Sequence, residues 1–105
     1  MKKENIFKNI LVDEIDEQFT DLIKNKNVRI ERIVSNGQSS PKDFWYEQEE
    51  NEFVLLLKGS AILEFENKQV PLSEGEYINI KAFTKHRVKY TSKTEPTVWL
   101  AIFYK

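Results

Sequence analysis

From Val28 onward, apolar residues fall in short runs: VRIERIVS, EFVLLLKG, SAILEFE, KQVPL, EYINI, HRVKY and TVWLAIFY. Val, Ile, Leu and aromatic side chains dominate them. Asn36-Gly37, Asn67-Lys68, Ser73-Glu74-Gly75 and Thr94-Glu95-Pro96 punctuate them. That combination is the signature of strands joined by turns. With no helix between them, these strands cannot be linked by parallel crossover units, so the pattern predicts an antiparallel sandwich or barrel. The preceding stretch reads differently. In DEIDEQFTDLIKNKN, Ile15, Phe19, Leu22 and Ile23 recur at helical spacing, Asp13 stands where a first turn is capped, and Asn25 to Asn27 offer a stop. This predicts one short amphipathic α-helix whose apolar stripe packs on the domain. The expected organisation is an extension over residues 1–27 carrying that helix, followed by an all-β unit over residues 28–105.

Two runs carry more apolar residues than a half-solvated sheet needs. In FVLLL, Phe53, Leu55 and Leu57 on one face and Val54 and Leu56 on the other all want to leave water, and VWLAIFY behaves the same way. A second copy of the chain covering one such face is the expected solution, a homodimer. The same alternation places Glu52 with Val54 and Leu56, and His86 with Val88 and Tyr90. A buried carboxylate is costly unless it is paired. His86, the single histidine of the chain, is the natural partner for Glu52.

Composition narrows the chemistry. One domain accommodates 105 residues, and a charged fraction of 31% that balances to a net charge of −1 offers no field for phosphate backbones or anionic lipid, so neither nucleic acid nor membrane is an expected partner. The chain has no cysteine. Disulfides, thiolate metal sites and thiol nucleophiles are therefore excluded, which fits a cytoplasmic protein. The apolar stretch from Ile10 to Val12 is too short for a signal peptide or a membrane span. No Gly-x-Ser-x-Gly elbow, phosphate-binding glycine loop or His-Glu-x-x-His helix occurs. The basic series Lys81, Lys85, Arg87, Lys89 and Lys93 reads as a solvated outer face.

The segments ENEFVLLLKG and EGEYINIKAFTKHRV carry a resemblance. Glu52 precedes Gly59 by six intervening residues, and Gly75 precedes His86 by eleven positions; in both spacings, and in the short interval between Gly59 and Gly75, the chain resembles the two motifs of the cupin superfamily. The stretch from Ile30 to Phe53 is similar to the opening of small stand-alone bacterial cupins. The resemblance implies a double-stranded β-helix, or jelly-roll, barrel. Cupin metal sites usually take two imidazoles from a His-x-His ahead of the Glu, and here Tyr46 and Gln48 stand at those places. The second motif's usual Pro, Gly and Asn are replaced by Lys81, Phe83 and Tyr90.

What the resemblance implies about function follows from those positions. Tyr46, Gln48, Glu52, His86 and Tyr90 are the expected ligand-binding residues, around a cavity that takes a small polar molecule of sugar or carboxylic acid type. An alternative is a metal-assisted isomerase or oxygenase in which Gln48, Glu52 and His86 hold a divalent ion, Mn, Fe, Ni or Zn, and Glu52 or Tyr90 moves a proton. A third reading is a non-catalytic structural or regulatory module. Trp45, Phe83 and Trp99 are further aromatics expected near the cavity, Trp99 as a packing residue.

Overall fold

Alternation of buried and solvated positions organises the chain into eight strands. The computed structural model describes residues 1–105. The strands are β1 (Gln18–Lys24), β2 (Val28–Ser35), β3 (Asn51–Lys58), β4 (Ala61–Phe65), β5 (Lys68–Leu72), β6 (Tyr77–Ile80), β7 (His86–Thr91) and β8 (Thr97–Tyr104). Each of the seven runs predicted from Val28 onward is a strand. Five pair in the order β1-β2-β8-β3-β6 and three in the order β5-β4-β7, with every pairing antiparallel. The two sheets face each other as a jelly-roll barrel. Val54, Leu56, Leu63, Leu72, Ile80 and Trp99 meet between them as the apolar core. Fully burying an aliphatic or aromatic side chain of this size stabilises by about 1.5–3 kcal/mol, so this layer is the main hold on the fold.

The N-terminal helix predicted from Ile15, Phe19, Leu22 and Ile23 is absent, and the segment forms β1 instead. The physical reason lies in its neighbour. The open edge of β2 needs partners for its peptide groups, and β1 supplies them from Gln18 opposite Val34 to Lys24 opposite Arg29. A helix of so few residues would have been marginal by itself. The register shifts between Asp21 and Ile23, and a bulge there lets apolar residues spaced for a helix sit on a strand. Phe19, Leu22 and Ile23 stay exposed rather than packing as a stripe on the domain.

The chain ahead of β1 is tied to the barrel by polar contacts. The Arg32 guanidinium, on β2, donates to the carbonyls of Ile6 at 3.0 Å and Lys8 at 2.7 Å. Gln38 donates through Nε2 to the Asp13 carbonyl at 2.6 Å. These anchors deliver Glu17 to the end of β1. At the other crossing point, between β3 and β4, Gly59 has φ +94, and a Cβ there would stand 2.5 Å from Thr97 Oγ1. Glycine is required at this position both by conformation and by space.

Candidate functional site: a carboxylate-rich cavity in the barrel

A cavity of about 130 Å³ opens between the sheets, and nine of its fourteen lining residues are hydrophobic, which makes its interior a poor solvent for charge. Ile33, Val54, Leu63, Ile80, Val88 and Trp99 form most of the apolar wall. Glu52 enters because β3 alternates: Glu52, Val54 and Leu56 are buried while Phe53, Leu55 and Leu57 are only partly so. His86 opens β7 opposite Phe65 of β4. Tyr46 pairs with His86 across a short antiparallel bridge, with Tyr46 N donating to the His86 carbonyl at 2.8 Å and His86 N to the Tyr46 carbonyl at 3.0 Å. The two rings stack with centroids 5.8 Å apart.

Glu52 Oε1 receives two donors. Gln48 donates from Nε2 at 2.9 Å, and His86 Nε2 lies at 3.2 Å. The other imidazole nitrogen, Nδ1, faces the Thr84 carbonyl at 2.9 Å. Both ring nitrogens therefore meet acceptors, and only the doubly protonated imidazolium can donate to both. Burial by itself pulls the His86 pKa down, but the Glu52 hydrogen bond, the Thr84 carbonyl and the Glu52 charge together raise it above its ordinary value. No protein group bonds Glu52 Oε2 or the Tyr46 hydroxyl. Burial, and after it the carboxylates of Glu17 and Glu52, raise the Tyr46 pKa, so the phenol stays protonated and able to donate.

Four of the five expected site residues, Tyr46, Gln48, Glu52 and His86, line this one cavity. Tyr90 does not. Its place on the inward face followed from strict alternation after His86, but β7 carries a bulge: Val88 pairs with Leu63 and Tyr90 with the next residue back, Ile62. The extra residue, Lys89, turns Tyr90 to the outside, where it is exposed. Trp99 is buried and donates from Nε1 to Ser35 Oγ at 3.1 Å. Trp45 lies against Arg87 instead, the guanidinium carbon being 5.8 Å from the ring centroid, and Phe83 is exposed. In the basic series, Arg87 pairs with Glu64 at 2.9 Å.

Two acidic residues of the cavity were not anticipated from the sequence. Glu31, on β2, is bound by the Arg29 guanidinium at 2.7 Å. Alternation along VRIERIVS carried a signal for it, since Glu31 shares a face with Ile33. Glu17 precedes β1 and is hydrogen-bonded by the Ser35 hydroxyl. Burial pushes the Glu17 carboxyl upward, and the Ser35 bond opposes this in part.

The donors do not assemble the metal cage that the resemblance implied. Glu52 and His86 converge, but Gln48 turns its amide nitrogen and not its oxygen to the carboxylate. No group of three His, Cys, Asp or Glu side chains gathers at ligating distance. One imidazole and one carboxylate, already bonded to each other, are a weak set for a transition metal.

Two antiparallel sheets wound into a barrel, with a glutamate and a histidine from facing sheets meeting inside, define a double-stranded β-helix protein with an internal polar site. Residues 31–103 match the family described as Cupin domain, and the chain belongs to that family. It is similar in structure to a Ralstonia eutropha JMP134 protein described as a "putative mannose-6-phosphate isomerase", with 39% identity, a TM-score of 0.95, and coverage of 100% of this chain and 99% of that one. A cupin superfamily protein from Desulfitobacterium hafniense DCB-2 shares the fold at 20% identity and a TM-score of 0.76, covering 90% of this chain and 83% of that one. An RmlC-like cupin from Desulfovibrio desulfuricans does so at 19% identity and a TM-score of 0.77, with coverage of 98% and 96%. No curated protein matches.

Proposed function

We propose that the chain binds a small polar molecule, of sugar or carboxylic acid type, in the barrel cavity through Tyr46, Gln48, Glu52 and His86. One observation carries this reading: Glu52 and Tyr46 line an apolar-walled cavity, and Glu52 Oε2 and the Tyr46 hydroxyl have no hydrogen-bond partner in the protein, while Oε1 is held in place by Gln48 and His86. Fixed polar groups in an apolar hollow are what orient a small ligand. The cavity, at about 130 Å³, is small beside the roughly 300–1,000 Å³ of sites for drug-sized molecules, so the ligand is of small-metabolite size. The test is thermal denaturation against a panel of monosaccharides, polyols and short carboxylic acids. A melting temperature that rises with ligand concentration, and no longer rises in Glu52→Ala, supports the proposal. No shift with any member of the panel would leave the barrel as a packing module.

Sugar isomerisation is the second reading, favoured by the description of the Ralstonia protein, which shares 39% identity with this chain. Glu52 would take a proton from the carbon that bears the hydroxyl and return it to the neighbouring carbonyl carbon, while the Tyr46 hydroxyl gives its proton to the carbonyl oxygen and regains one from the adjacent hydroxyl. Deuterium incorporation from D₂O into the bound sugar, absent in Glu52→Gln, is the expected readout.

A further inference from the structure

Inside the cavity, each acid has a protein partner, cationic for two of them and neutral for the third. Glu17, Glu31 and Glu52 line it, and no lysine or arginine does. Glu31 is bound by Arg29, whose guanidinium also holds Glu50 at 3.1 Å and lies 3.9 Å over the Phe103 ring. Glu52 has the His86 imidazole. Glu17 has the Ser35 hydroxyl, which in turn accepts the Trp99 indole N–H. Each acid thus already has its partner.

An anion entering this space would lose its hydration, find no free cation, and face the carboxylates of Glu31 and Glu52. Lys68, Lys81 and Lys85 line a separate surface groove, which shares Ile80 with the cavity but lies outside it. A cation finds Arg29 and His86 already on two of the three acids, and the third, Glu17, is one whose charged form burial disfavours. A neutral hydroxylated molecule meets neither obstacle. It finds the Tyr46 hydroxyl as donor and Glu52 Oε2 and the second oxygen of Glu17 as acceptors, with the rings and aliphatic groups of Trp99, Ile33 and Val88 for its C–H faces.

We infer that the cavity selects uncharged polyhydroxylated molecules over their phosphorylated, acidic or amino counterparts, with Glu17, supplied by the N-terminal segment, as a hydroxyl-binding residue. This narrows the binding reading above, from sugars and carboxylic acids to neutral sugars and polyols, and rests on it.

Isothermal titration of the full chain with mannose, fructose and sorbitol, each beside its 6-phosphate, and with mannonate and mannosamine, tests both. At least one neutral member is expected to bind about tenfold or more tightly than its charged counterparts. Glu17→Gln, which keeps the bond to Ser35, is expected to retain that affinity, and Glu17→Leu to lose about tenfold, at an unchanged circular dichroism spectrum. Glu52→Gln is expected to narrow the discrimination against phosphate by removing one facing charge. A phosphate, acid or amine that binds as tightly as the neutral sugar overturns the selectivity while leaving the binding reading intact. Equal affinity in Glu17→Leu and the parent chain removes Glu17 from the site. Failure of every probe to bind overturns the binding reading and the selectivity with it.

Discussion

Breaking the contact between Glu52 and His86 gives a stability effect whose size and pH dependence both follow from the geometry. The two atoms are 3.2 Å apart, and the side chains are 12% and 7% exposed, so solvent screens the contact little. A hydrogen bond to a charged partner contributes about 1.5–3 kcal/mol net, and touching residues couple by about 0.5–3 kcal/mol. The separation is long for such a bond, which places the expected coupling at about 1–2 kcal/mol. A double-mutant cycle of Glu52→Gln, His86→Phe and the double variant isolates it, with urea denaturation followed by the fluorescence of Trp45 and Trp99. His86→Phe keeps a flat ring against Tyr46 and removes both nitrogens. The folded-state pKa of His86 is raised. Its contribution is therefore complete below the unfolded imidazole value of about 6.5 and is lost as pH rises through the higher folded value. The coupling should be full near about pH 6 and much reduced above the folded-state midpoint. Because the chain has one histidine, its ring resonances report the same titration directly, and Glu52→Gln should move the midpoint down, since burial then meets less opposition. A coupling below about 0.5 kcal/mol on both sides of that midpoint, or one that grows with pH, would refute the ion pair.

Three further outcomes follow from particular backbone and side-chain positions. Phe83 has φ +63 and is 64% exposed; a left-handed conformation costs a non-glycine residue about 1–2 kcal/mol, glycine's freedom in the unfolded chain returns part of that, and Phe83→Gly should stabilise by about 0.5–1 kcal/mol in urea. A loss of stability would show that the ring makes compensating contacts. Gly59→Ala should cost about 2–5 kcal/mol, because its Cβ would strike Thr97, including the backbone Cα at 2.8 Å, whereas Gly75→Ala, with φ +87 and open space around it, should cost about 1–2 kcal/mol; equal losses in thermal denaturation would contradict the close approach. Tyr46→Phe removes a hydroxyl that faces the cavity and Tyr90→Phe one that does not, so the first should weaken ligand binding several-fold and the second leave it unchanged, as read by titration with the tightest-binding sugar.

Which parts of this architecture were legible follows from what leaves a trace in residue order. Alternation in ENEFVLLLKG put Glu52 on the face of Val54 and Leu56, and the structure buries all three. The single histidine, spaced from Gly75 as in the second cupin motif, left little choice of partner. A bulge leaves no such trace. One inserted residue at Lys89 reverses the face of everything after it without changing composition, and Tyr90 was misplaced for that reason. The bulge near Leu22 did the converse in β1, giving a strand the apolar spacing of a helix. Glu17 was hidden by that misreading, because a carboxylate inside the expected helix, between Ile15 and Phe19, falls on the polar face turned away from the domain and has no cavity to face. Only the pairing of β1 with β2, a contact between segments, reveals where it goes.

Under the proposed function, the departures from the cupin pattern have a common physical meaning. Imidazoles at the positions of Tyr46 and Gln48 would offer lone pairs to a cation, and Glu52 would then balance that cation's charge. A phenol and an amide at the same places offer hydrogen-bond donors instead, and Glu52 is balanced from within by His86. The barrel position is unchanged, but its preference moves from ions to hydroxyl groups. Glu17 and Phe19 extend this change from outside residues 31–103, the part of the chain that matches the family. Since a fold shared across cupins does not choose a ligand, specificity has to reside in residues of this kind. A chain keeping Glu52, His86 and the barrel but carrying Tyr46→His and Gln48→His should therefore gain affinity for Ni²⁺ or Zn²⁺ and lose affinity for neutral sugars, both read by titration calorimetry. If the double substitution bound metal and sugar as the parent chain does, those two positions would not be setting the preference.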